Sequence, residues 1–520
     1  LDLKNVQAQF NPTVAPLELA EVSGKVGVKH LTPGFEVTTD NLAVKWGSNK
    51  QSWRPGNAKI IFHPCEGNNP ERGEITTKEI DLTGLLVVLQ SVPLSTETHD
   101  QLHKFAPSGR LTNFIIGWTR TETKLSRYQL KGQFQNLATS SLGDIPGVAN
   151  MSGSIDANQN GGGIALDSKS MVVSIPSMFV GDLKFDTFTG KAAWKTTKDG
   201  VDVKADNIAF VNNDGAISLS GTYRSVAGTP GFADIEGKLL RGDARGIWRY
   251  VPRVVPDGVR EWVRTSLLAG KSESGTFKLK GNLYDFPFPE NKGGEFEVLV
   301  DAHDGIVRYV PDWPVIENIS AKLIFRGITM DVVGHSGRVF QTAINFARIR
   351  IADLAHHDPV VELEMRADSN VQDALRYIAE SPVKGFINHA TDRFAGNGKG
   401  KLDLRLTIPL ARLDKTQIAG DWEFLNAKVT DTLEAVPDLD KISGHLLFTE
   451  RGINAKLLRG ETLGGPAQAS FATDKNFKLT ISTQGKATAQ GVAKQYKSPA
   501  LKYFSGTGDW SGTIQVHRGE

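Results

Sequence analysis

Apolar and polar residues alternate along much of this chain, and the alternation is most regular in the run Leu402–Ile408 (LDLRLTI). Because successive side chains of a strand point to opposite faces, this pattern predicts a strand with one apolar and one polar face. The same alternation recurs at 277–279, 296–300, 361–365 and 477–481. Antiparallel sheets with one solvated face have this pattern, whereas buried parallel sheets give continuous apolar runs. We therefore predict a mainly β protein built on an elongated antiparallel array.

A short phrase occurs four times along the chain. It consists of spaced hydrophobic residues, then Ser or Thr, Gly or Ala, a basic residue and an apolar or small residue. A Gly followed by an apolar residue comes soon after each copy, which predicts a strand, a turn and a second strand. The copies are about 120 to 170 residues apart, far more than the period of common solenoids. They are Leu19–Val26, Phe185–Ala192, Ile316–Leu323 and Leu439–Leu446.

The same phrase predicts which side chains face water. Neighbours on a strand face opposite ways, and a basic side chain is easier to solvate than to bury. We therefore expect the basic position to be on the outer, polar face and the residue after it to be on the inner, apolar face. The outward residues are Lys25, Lys191, Lys322 and His445, and the inward residues are Val26, Ala192, Leu323 and Leu446.

Few segments have helical periodicity. The segment 256–270 places Val259, Trp262 and Leu267 at helical spacing, with Gly270 as a plausible stop. A second helix is predicted near 370–380 with Asn370 as its N-cap, and a third at 96–105. Amphipathic helices in a β protein most often cover the end of a sheet, and we predict that role here.

Two changes of pattern divide the chain into three segments. Strand alternation gives way to a helix near Arg241–Pro256, and a Gly-rich stretch follows at Ala395–Lys401 (AGNGKGK). These changes predict β segments at 1–240, 241–395 and 396–520. Both junctions are short, so we expect one continuous array rather than tethered domains.

The composition limits the possible partners. Sixty basic and 58 acidic residues leave a net charge of +2, which implies no bulk attraction to nucleic acid. The single cysteine, Cys65, excludes an internal disulfide, and we predict that it is a small packed residue. No run approaches the roughly 20 apolar residues needed to cross a bilayer. The chain begins at Leu1 within a strand-like run, so we expect it to be a piece of a larger protein.

No motif for catalysis or metal binding stands out. The chain has no GxxxxGK[ST] phosphate loop, HExxH metal helix or GxSxG nucleophile turn. The string His356–His357–Asp358 is interpreted as a solvated turn, since adjacent strand residues do not converge on one ion. The pair Asp301 and Asp304 is likewise interpreted as part of a turn. We predict that the protein is not an enzyme and uses no cofactor or metal.

The run from Ile247 to Pro314 carries a more specific signal. It contains a Tyr-Val-Pro corner at 250–252, a helix with Trp262, the string DFPF at 285–288, then GGEFEV and DWP. This run resembles the AsmA-like bacterial envelope protein family, and in particular its YhdP branch. The repeated phrase extends the resemblance more weakly over most of the chain. Full-length members begin with a membrane-spanning helix, which is not found in this chain.

The resemblance implies a β sheet curled into a hydrophobic groove, open along one side, that conducts phospholipid between the inner and outer membranes. It further implies a periplasmic location, anchoring of the full-length protein in the inner membrane, and possible envelope protein partners. The residue pattern agrees, because a sheet with one apolar face and few helices must either curl on itself or hold a lipid. Burial of acyl CH₂ groups is worth about 0.8 kcal/mol each.

We predict that inward-facing strand residues touch the acyl chains while the head groups remain in the open slot. The predicted lipid-binding residues are Val201, Val203, Phe277, Leu279, Phe296, Val298, Val300, Leu323, Phe325, Val361, Leu363, Leu402, Leu404, Leu406, Leu446 and Phe448. Two alternatives remain open on the pattern alone. One is a structural or assembly protein of the envelope that acts through β-edge contacts. The other is a carbohydrate-active β solenoid, which would require a carboxylate cluster on a concave face.

Overall fold

The computed structural model of the chain describes residues 1–9, 16–46, 51–67, 69–91, 96–121, 125–143, 145–497 and 500–516. These residues contain 27 strands that belong to one antiparallel sheet. The prediction of a mainly β, antiparallel fold with few helices is confirmed.

The chain divides into two compact units. Unit 1 comprises Leu1–Gly242, Gly246–Glu261 and Phe277–Phe286, and unit 2 comprises Asp243–Arg245, Trp262–Thr276 and Pro287–Glu520. The predicted division into three segments stays a prediction. The Gly-rich stretch at 395–401 lies inside a strand, so the sheet is not interrupted there.

In unit 1 each strand pairs with its sequence neighbour, except that β3 pairs with both β4 and β5. The strands are β1 Asp2–Ala8, β2 Leu17–Leu31, β3 Gly34–Trp46, β4 Gln51–Gly56, β5 Ala58–His63, β6 Glu71–Asp81, β7 Ser108–Arg120, β8 Leu125–Thr139, β9 Gly147–Asn158, β10 Gly161–Ser174, β11 Leu183–Thr197, β12 Gly200–Val211, β13 Gly215–Arg224 and β14 Phe232–Asp243.

The next strand, β15 (Leu267–Asn282), contributes residues to both units. From β16 on, each strand of unit 2 pairs with its sequence neighbour. The sheet is open: in the described ranges β1 pairs only with β2, and β27 only with β26. The strands of unit 2 are β16 Gly294–Val307, β17 Ile316–Arg326, β18 Thr329–Val339, β19 Thr342–Ile351, β20 Val360–Asn370, β21 Phe394–Pro409, β22 Gln417–Asp431, β23 Leu439–Thr449, β24 Gly452–Thr462, β25 Gly465–Thr473, β26 Leu479–Thr488 and β27 Thr507–Val516.

The three predicted helices are present. The helix at 96–105 has the predicted bounds, and the Asn370 side chain, just before the helix Val371–Ala379, accepts a hydrogen bond from the Asp373 backbone N–H at 2.7 Å, as expected of an N-cap. The helix predicted to stop at Gly270 ends instead at Ser266, because Leu267 already starts β15. The helices are α1 Leu82–Leu89, α2 Thr96–Phe105, α3 Asp257–Ser266, α4 Val371–Ala379, α5 Val383–Phe386 and α6 Ala489–Gln495.

Five short 3₁₀ turns complete the regular structure of the described ranges: Ala244–Tyr250, Leu283–Asp285, Pro289–Asn291, Leu413–Lys415 and Ala500–Tyr503. None of the helices in those ranges has the length and apolar character required to span a membrane.

The helices lie at one end of the strands in each unit. Because neighbouring strands within a unit are antiparallel, the connections that follow even-numbered strands from β6 onward lie at the same edge of their own unit. In unit 1 this edge carries α1 and α2 between β6 and β7. In unit 2 it carries α4 and α5 between β20 and β21, and α6 between β26 and β27. We call this edge the helix rim of each unit and the opposite edge the turn rim.

The four repeated phrases lie in β2, β11, β17 and β23, and the glycine after each copy opens the next strand or lies in the turn just before it. The strand–turn–strand prediction is confirmed. At each phrase the pairing register also shifts, as between Ser23 and Lys25 or between Thr189 and Lys191. The phrase therefore marks a β-bulge, which bends a strand and increases its twist.

Glycine and asparagine supply the backbone conformation that these bulges need. Gly24 has a φ of 131°, and a Cβ atom there would lie 2.8 Å from the carbonyl oxygen of Asn41, itself at a φ of 52°. In unit 2 Gly398 and Asn426 oppose each other in the same way. Both conformations belong to the left-handed region, which Gly and Asn adopt most readily. The bulges lie toward the helix rim of each unit.

Candidate functional site: the apolar face of the sheet

A continuous row of apolar residues crosses the strands of unit 1. In a β ladder, directly paired residues share a face, so the row can be followed from strand to strand. Every strand from β2 to β14 except β4 contributes one residue, and most of these side chains are partly exposed. The row is Val28, Val37, Ile60, Ile75, Ile116, Leu130, Ala157, Gly162, Trp194, Val203, Tyr223 and Ala233.

Unit 2 contains equivalent rows. One residue from each strand from β16 to β22 forms the first row, and all its members are partly exposed. A second row runs beside it through Val298, Phe325, Met330, Ile351, Val361 and Ile408. The first row is Val300, Leu323, Val332, Ile349, Leu363, Leu406 and Ile418. Each unit therefore has an apolar face that is unbroken across many strands.

All sixteen predicted lipid-binding residues are partly exposed: none is fully buried and none is fully exposed. Val201 and Val203 lie on β12, and Phe277 and Leu279 lie on the part of β15 that belongs to unit 1. The remaining twelve lie on β16, β17, β20, β21 and β23 of unit 2. Their contact with lipid stays a prediction.

Register brings several of these residues together. Leu404 and Phe448 both pair with Gly420, and Leu402 and Leu446 both pair with Trp422. The Phe448 ring lies across Gly420, where a side chain would collide with it. Aromatic side chains that cover a glycine on a neighbouring strand keep the face apolar and closely packed.

The opposite face carries charges paired across strands. In unit 2 the Arg326 Nε atom is 2.7 Å from a Glu297 carboxylate oxygen, and an Arg348 Nη atom is 3.2 Å from Asp331. Exposed pairs of this kind contribute at most about 1 kcal/mol each, but they identify the solvated side of the sheet.

The repeated phrase has the predicted orientation. The Lys25 Nζ atom is 3.8 Å from Asp40, and the His445 Nδ1 atom is 3.0 Å from Asp421. Lys191 and Lys322 pair in register with Asp206 and Asp301 on the polar face. The next residue of three copies enters an apolar row, namely Ala192, Leu323 and Leu446. In the first copy Val26 pairs with Thr39 and is 39% exposed.

Helix α4 covers the apolar face of unit 2 at its helix rim. Val371 is buried against Ala427 and Ile442, with Leu375 and Phe424 packed around them. The helix thereby closes one end of the strands, as predicted for an amphipathic helix of a β protein.

Hydrogen bonds fix α4 in place. Asp373 accepts from the Gln341 backbone N–H at 2.9 Å and from the Thr342 hydroxyl at 3.1 Å. The hydroxyls of Tyr377 and Tyr309 are 2.8 Å apart, and burial, the largest cause, raises the pKa of Tyr377 strongly. The helix is therefore tied to the connections β16–β17 and β18–β19 as well as to β20.

A buried carboxylate links two neighbouring connections of the same rim. The Asp431 side chain, 1% exposed, pairs with Arg393 and accepts hydrogen bonds from the backbone N–H groups of Leu433, Ala435 and Val436 at 3.1, 2.9 and 2.8 Å. These donors, the Arg393 guanidinium first, hold the pKa of Asp431 well below its usual range.

The residues considered for other chemistry have structural roles. The His-His-Asp string is a turn with both histidines exposed, as predicted, but Asp358 is buried rather than solvated. It accepts from the Ala411 backbone N–H at 2.9 Å and from the Arg412 Nε atom at 2.8 Å. Cys65 is exposed, and the prediction that it is packed is wrong, because it lies in the connection between β5 and β6 rather than on a strand. In the described ranges no group of three or more His, Cys, Asp or Glu side chains is arranged to hold a metal ion.

Sequence reasoning missed several members of the apolar rows. Ile349 alternates with Arg348 and Arg350, so the period-two rule would have found it. Trp422, between Asp421 and Glu423, gives the same signal. In unit 1 the short strand β5 places Ile60 and Ile61 side by side, and only its pairing shows that Ile60 is the inward residue.

A large apolar face that stays partly exposed in a folded protein marks an interaction surface or a ligand-binding groove. The family model described as YhdP protein matches residues 1–520, so the chain belongs to the YhdP family. It is 21% identical over 520 residues to the intermembrane phospholipid transporter YhdP of Escherichia coli (strain K12), an alignment that covers 94% of this chain. The chain spans 39% of that relative's length. No solved structure matches the chain significantly.

Proposed function

We propose that this chain is a segment of a bridge-like lipid transfer protein, in which the apolar face conducts phospholipids between the inner and outer membranes. The observation that carries the proposal is the unbroken apolar row in each unit, most of whose side chains are partly exposed. The relative's name, an intermembrane phospholipid transporter, supports the same function.

The free energies of burying an acyl chain are compatible with passive conduction of lipid. An acyl chain of about 16 carbons gains on the order of 12 kcal/mol by leaving water for an apolar surface, at about 0.8 kcal/mol per CH₂ group. It gains a similar amount in a bilayer, so transfer requires a continuous apolar path without a deep trap. The rows of unit 2, built mostly from Val, Ile, Leu and Met, give such a path, since adjacent positions offer similar surfaces.

The sixteen predicted residues are proposed to line this path, with head groups toward the open side. The proposed location is the periplasm, with the full-length protein anchored in the inner membrane and its partners being phospholipid, the two membranes and envelope proteins. No catalysis, cofactor or nucleic-acid binding is part of the proposal.

Binding of a fluorescent fatty-acid analogue to the delipidated chain tests the proposal. The analogue should bind with increased fluorescence, and an unlabelled phospholipid should displace it. A folded sample that binds neither molecule would instead favour a closed envelope scaffold that acts through its β edges.

A further inference from the structure

A cleft on the polar face of unit 1 has the features of an anion site. It lies at the turn rim, across β5, β6, β7 and β8, and has a volume of about 700 Å³. Its floor includes Gly117, where a Cβ atom would meet no other atom nearer than 3.9 Å, so the space above it is open. The outermost row of the cleft, read across the four strands, is His63, Arg72, Thr119 and Arg127.

The two arginines of this row lack a counter-ion in the part of the chain that the structure describes. Neither the Arg72 nor the Arg127 guanidinium makes an ion pair or hydrogen bond with the described residues, whereas other cations of the same strands do. Lys59 is 3.1 Å from Glu36, Arg110 is 3.2 Å from Glu79, and Lys131 is 2.8 Å from Asp156.

The positive charges of Arg72 and Arg127 both line the cleft. Arg72 and Arg127 are two strands apart, about 10 Å between backbones, so both long side chains can reach one anion above Thr119. His63 is held by its Nδ1 atom, 2.8 Å from the Pro33 carbonyl oxygen. Among the described residues that line the cleft, the one carboxylate is Glu74, which accepts a hydrogen bond from the Thr76 hydroxyl at 3.3 Å.

An aromatic row lies directly behind the cations. On the apolar face, one position from the rim, Phe35, Phe62, Gly73, Trp118 and Tyr128 pair across the strands. The rings of Phe35 and Phe62 are 5.5 Å apart, and the Trp118 indole N–H donates to Glu71 at 3.1 Å. Aromatic rings beside cations at the edge of an apolar surface are the arrangement found at lipid–water interfaces.

We propose that this cleft binds the phosphodiester of a glycerophospholipid, whose acyl chains lie on the apolar row through Ile60, Ile75, Ile116 and Leu130. The lipid would cross the turn rim, with its phosphate between Arg72 and Arg127 and its chains beyond the aromatic row. This inference rests on the proposed function and adds to it a binding site for the lipid head group at the turn rim of unit 1.

Two short-chain lipids that differ only in the head group test the site. Calorimetry would measure binding of dihexanoyl phosphatidylcholine and of dihexanoylglycerol, which lacks the phosphate, to the full chain. The wild type should prefer the phospholipid by about 10-fold or more, because only the phospholipid offers a phosphate that the two guanidinium groups can bind. The double variant Arg72→Gln/Arg127→Gln should lose that preference and keep its affinity for dihexanoylglycerol.

A matched control is Lys191→Gln/Lys195→Gln, which removes two exposed cations elsewhere on unit 1 and should change neither affinity. If the wild type binds both lipids equally, or if the arginine variant keeps the preference, the proposed head-group site is wrong. The proposed lipid path along the apolar face would not be affected by that result. If neither lipid binds the folded wild type, the proposed function itself fails. Inorganic phosphate that binds the same arginines as tightly as the phospholipid would show a free-phosphate site and overturn the lipid assignment.

Discussion

The indole ring of Trp422 lies across Gly400 on the neighbouring strand: a Cβ atom on Gly400 would be 2.6 Å from the Trp422 Cζ2 atom. Both residues belong to the apolar face of unit 2, and Trp422 is only 8% exposed. The glycine is therefore required by packing rather than by chain flexibility. The same relation holds between Phe448 and Gly420.

Gly400→Val should displace Trp422 and destabilise the fold by about 1–3 kcal/mol, as expected of overpacking. The urea midpoint of unfolding measures the loss. Gly508→Val is the matched control, since Gly508 is also on a strand but has no atom within 4 Å of the position of a Cβ. Equal midpoints for the two variants would contradict the packing role of Gly400.

Leu404→Glu should block lipid binding more than it weakens the fold. Leu404 is partly exposed between Met365 and Gly420, so water can reach the new carboxylate and the cost in stability should stay below about 2 kcal/mol. Binding of the fluorescent fatty-acid analogue should fall several-fold. Thermal melts and binding titrations on one sample give both quantities.

Leu447→Glu is the control for that variant, because Leu447 is 46% exposed on the polar face of β23. It should leave lipid binding unchanged. Severe unfolding by Leu404→Glu, of several kcal/mol, would mean that the position is in a closed core.

Asp431→Asn should lower the melting temperature by several degrees at pH 7, because the neutral amide cannot replace a carboxylate that pairs with Arg393 and accepts three backbone N–H groups. The pKa of Asp431 is lowered in the folded protein, so its contribution to stability is full above the pKa of an unfolded aspartate, about 3.9. That contribution is lost as the pH falls toward the folded-state pKa. The difference between variant and wild type should therefore narrow below about pH 4.

Melts of both proteins between pH 7 and pH 3 check this dependence. Asp414→Asn, whose carboxylate is exposed beside Lys415, should behave like the wild type throughout. A difference that widens in acid would contradict the assignment of the lowered pKa to Asp431.

Cysteine scanning tests the two faces at the repeated phrase, after replacement of Cys65 by Ser. A water-soluble maleimide should label Lys322→Cys faster than Leu323→Cys, since Lys322 pairs with Asp301 on the polar face and Leu323 lies in the apolar row. A photocrosslinker carried by a lipid should prefer the second variant. Reversed preferences would contradict the assignment of Lys322 to the polar face and of Leu323 to the apolar face.

Period-two alternation predicted the faces correctly where the ladder is regular. Leu402, Leu404 and Leu406 point to the apolar face because no register shift occurs between them in the β20–β21 pairing. The bulges were not predicted, since a residue such as Asn426, at a φ of 56°, looks like any polar strand residue until its pairing is known.

The Gly-rich stretch at 395–401 was predicted as a junction between segments, but it lies inside β21. Glycine is ordinarily a loop signal, but here Gly396 is covered by Val371 of α4 and Gly400 by Trp422. These partners are distant in sequence, so local composition could not identify the stretch as strand.

The cation row of the proposed head-group site could not be predicted from the sequence either. Arg72 and Arg127 come together only through the register of β6, β7 and β8.

The most direct test of the apolar face as a lipid path is organic extraction and mass spectrometry of the chain purified from bacterial membrane extract. A large, unbroken apolar surface in contact with solvent should retain an apolar ligand. We predict that phospholipid co-purifies with the wild type, in substoichiometric to several-fold amounts, and is reduced in Leu404→Glu. A folded wild type that contains no lipid and also fails to bind added phospholipid would contradict the proposal that the apolar face is a lipid path.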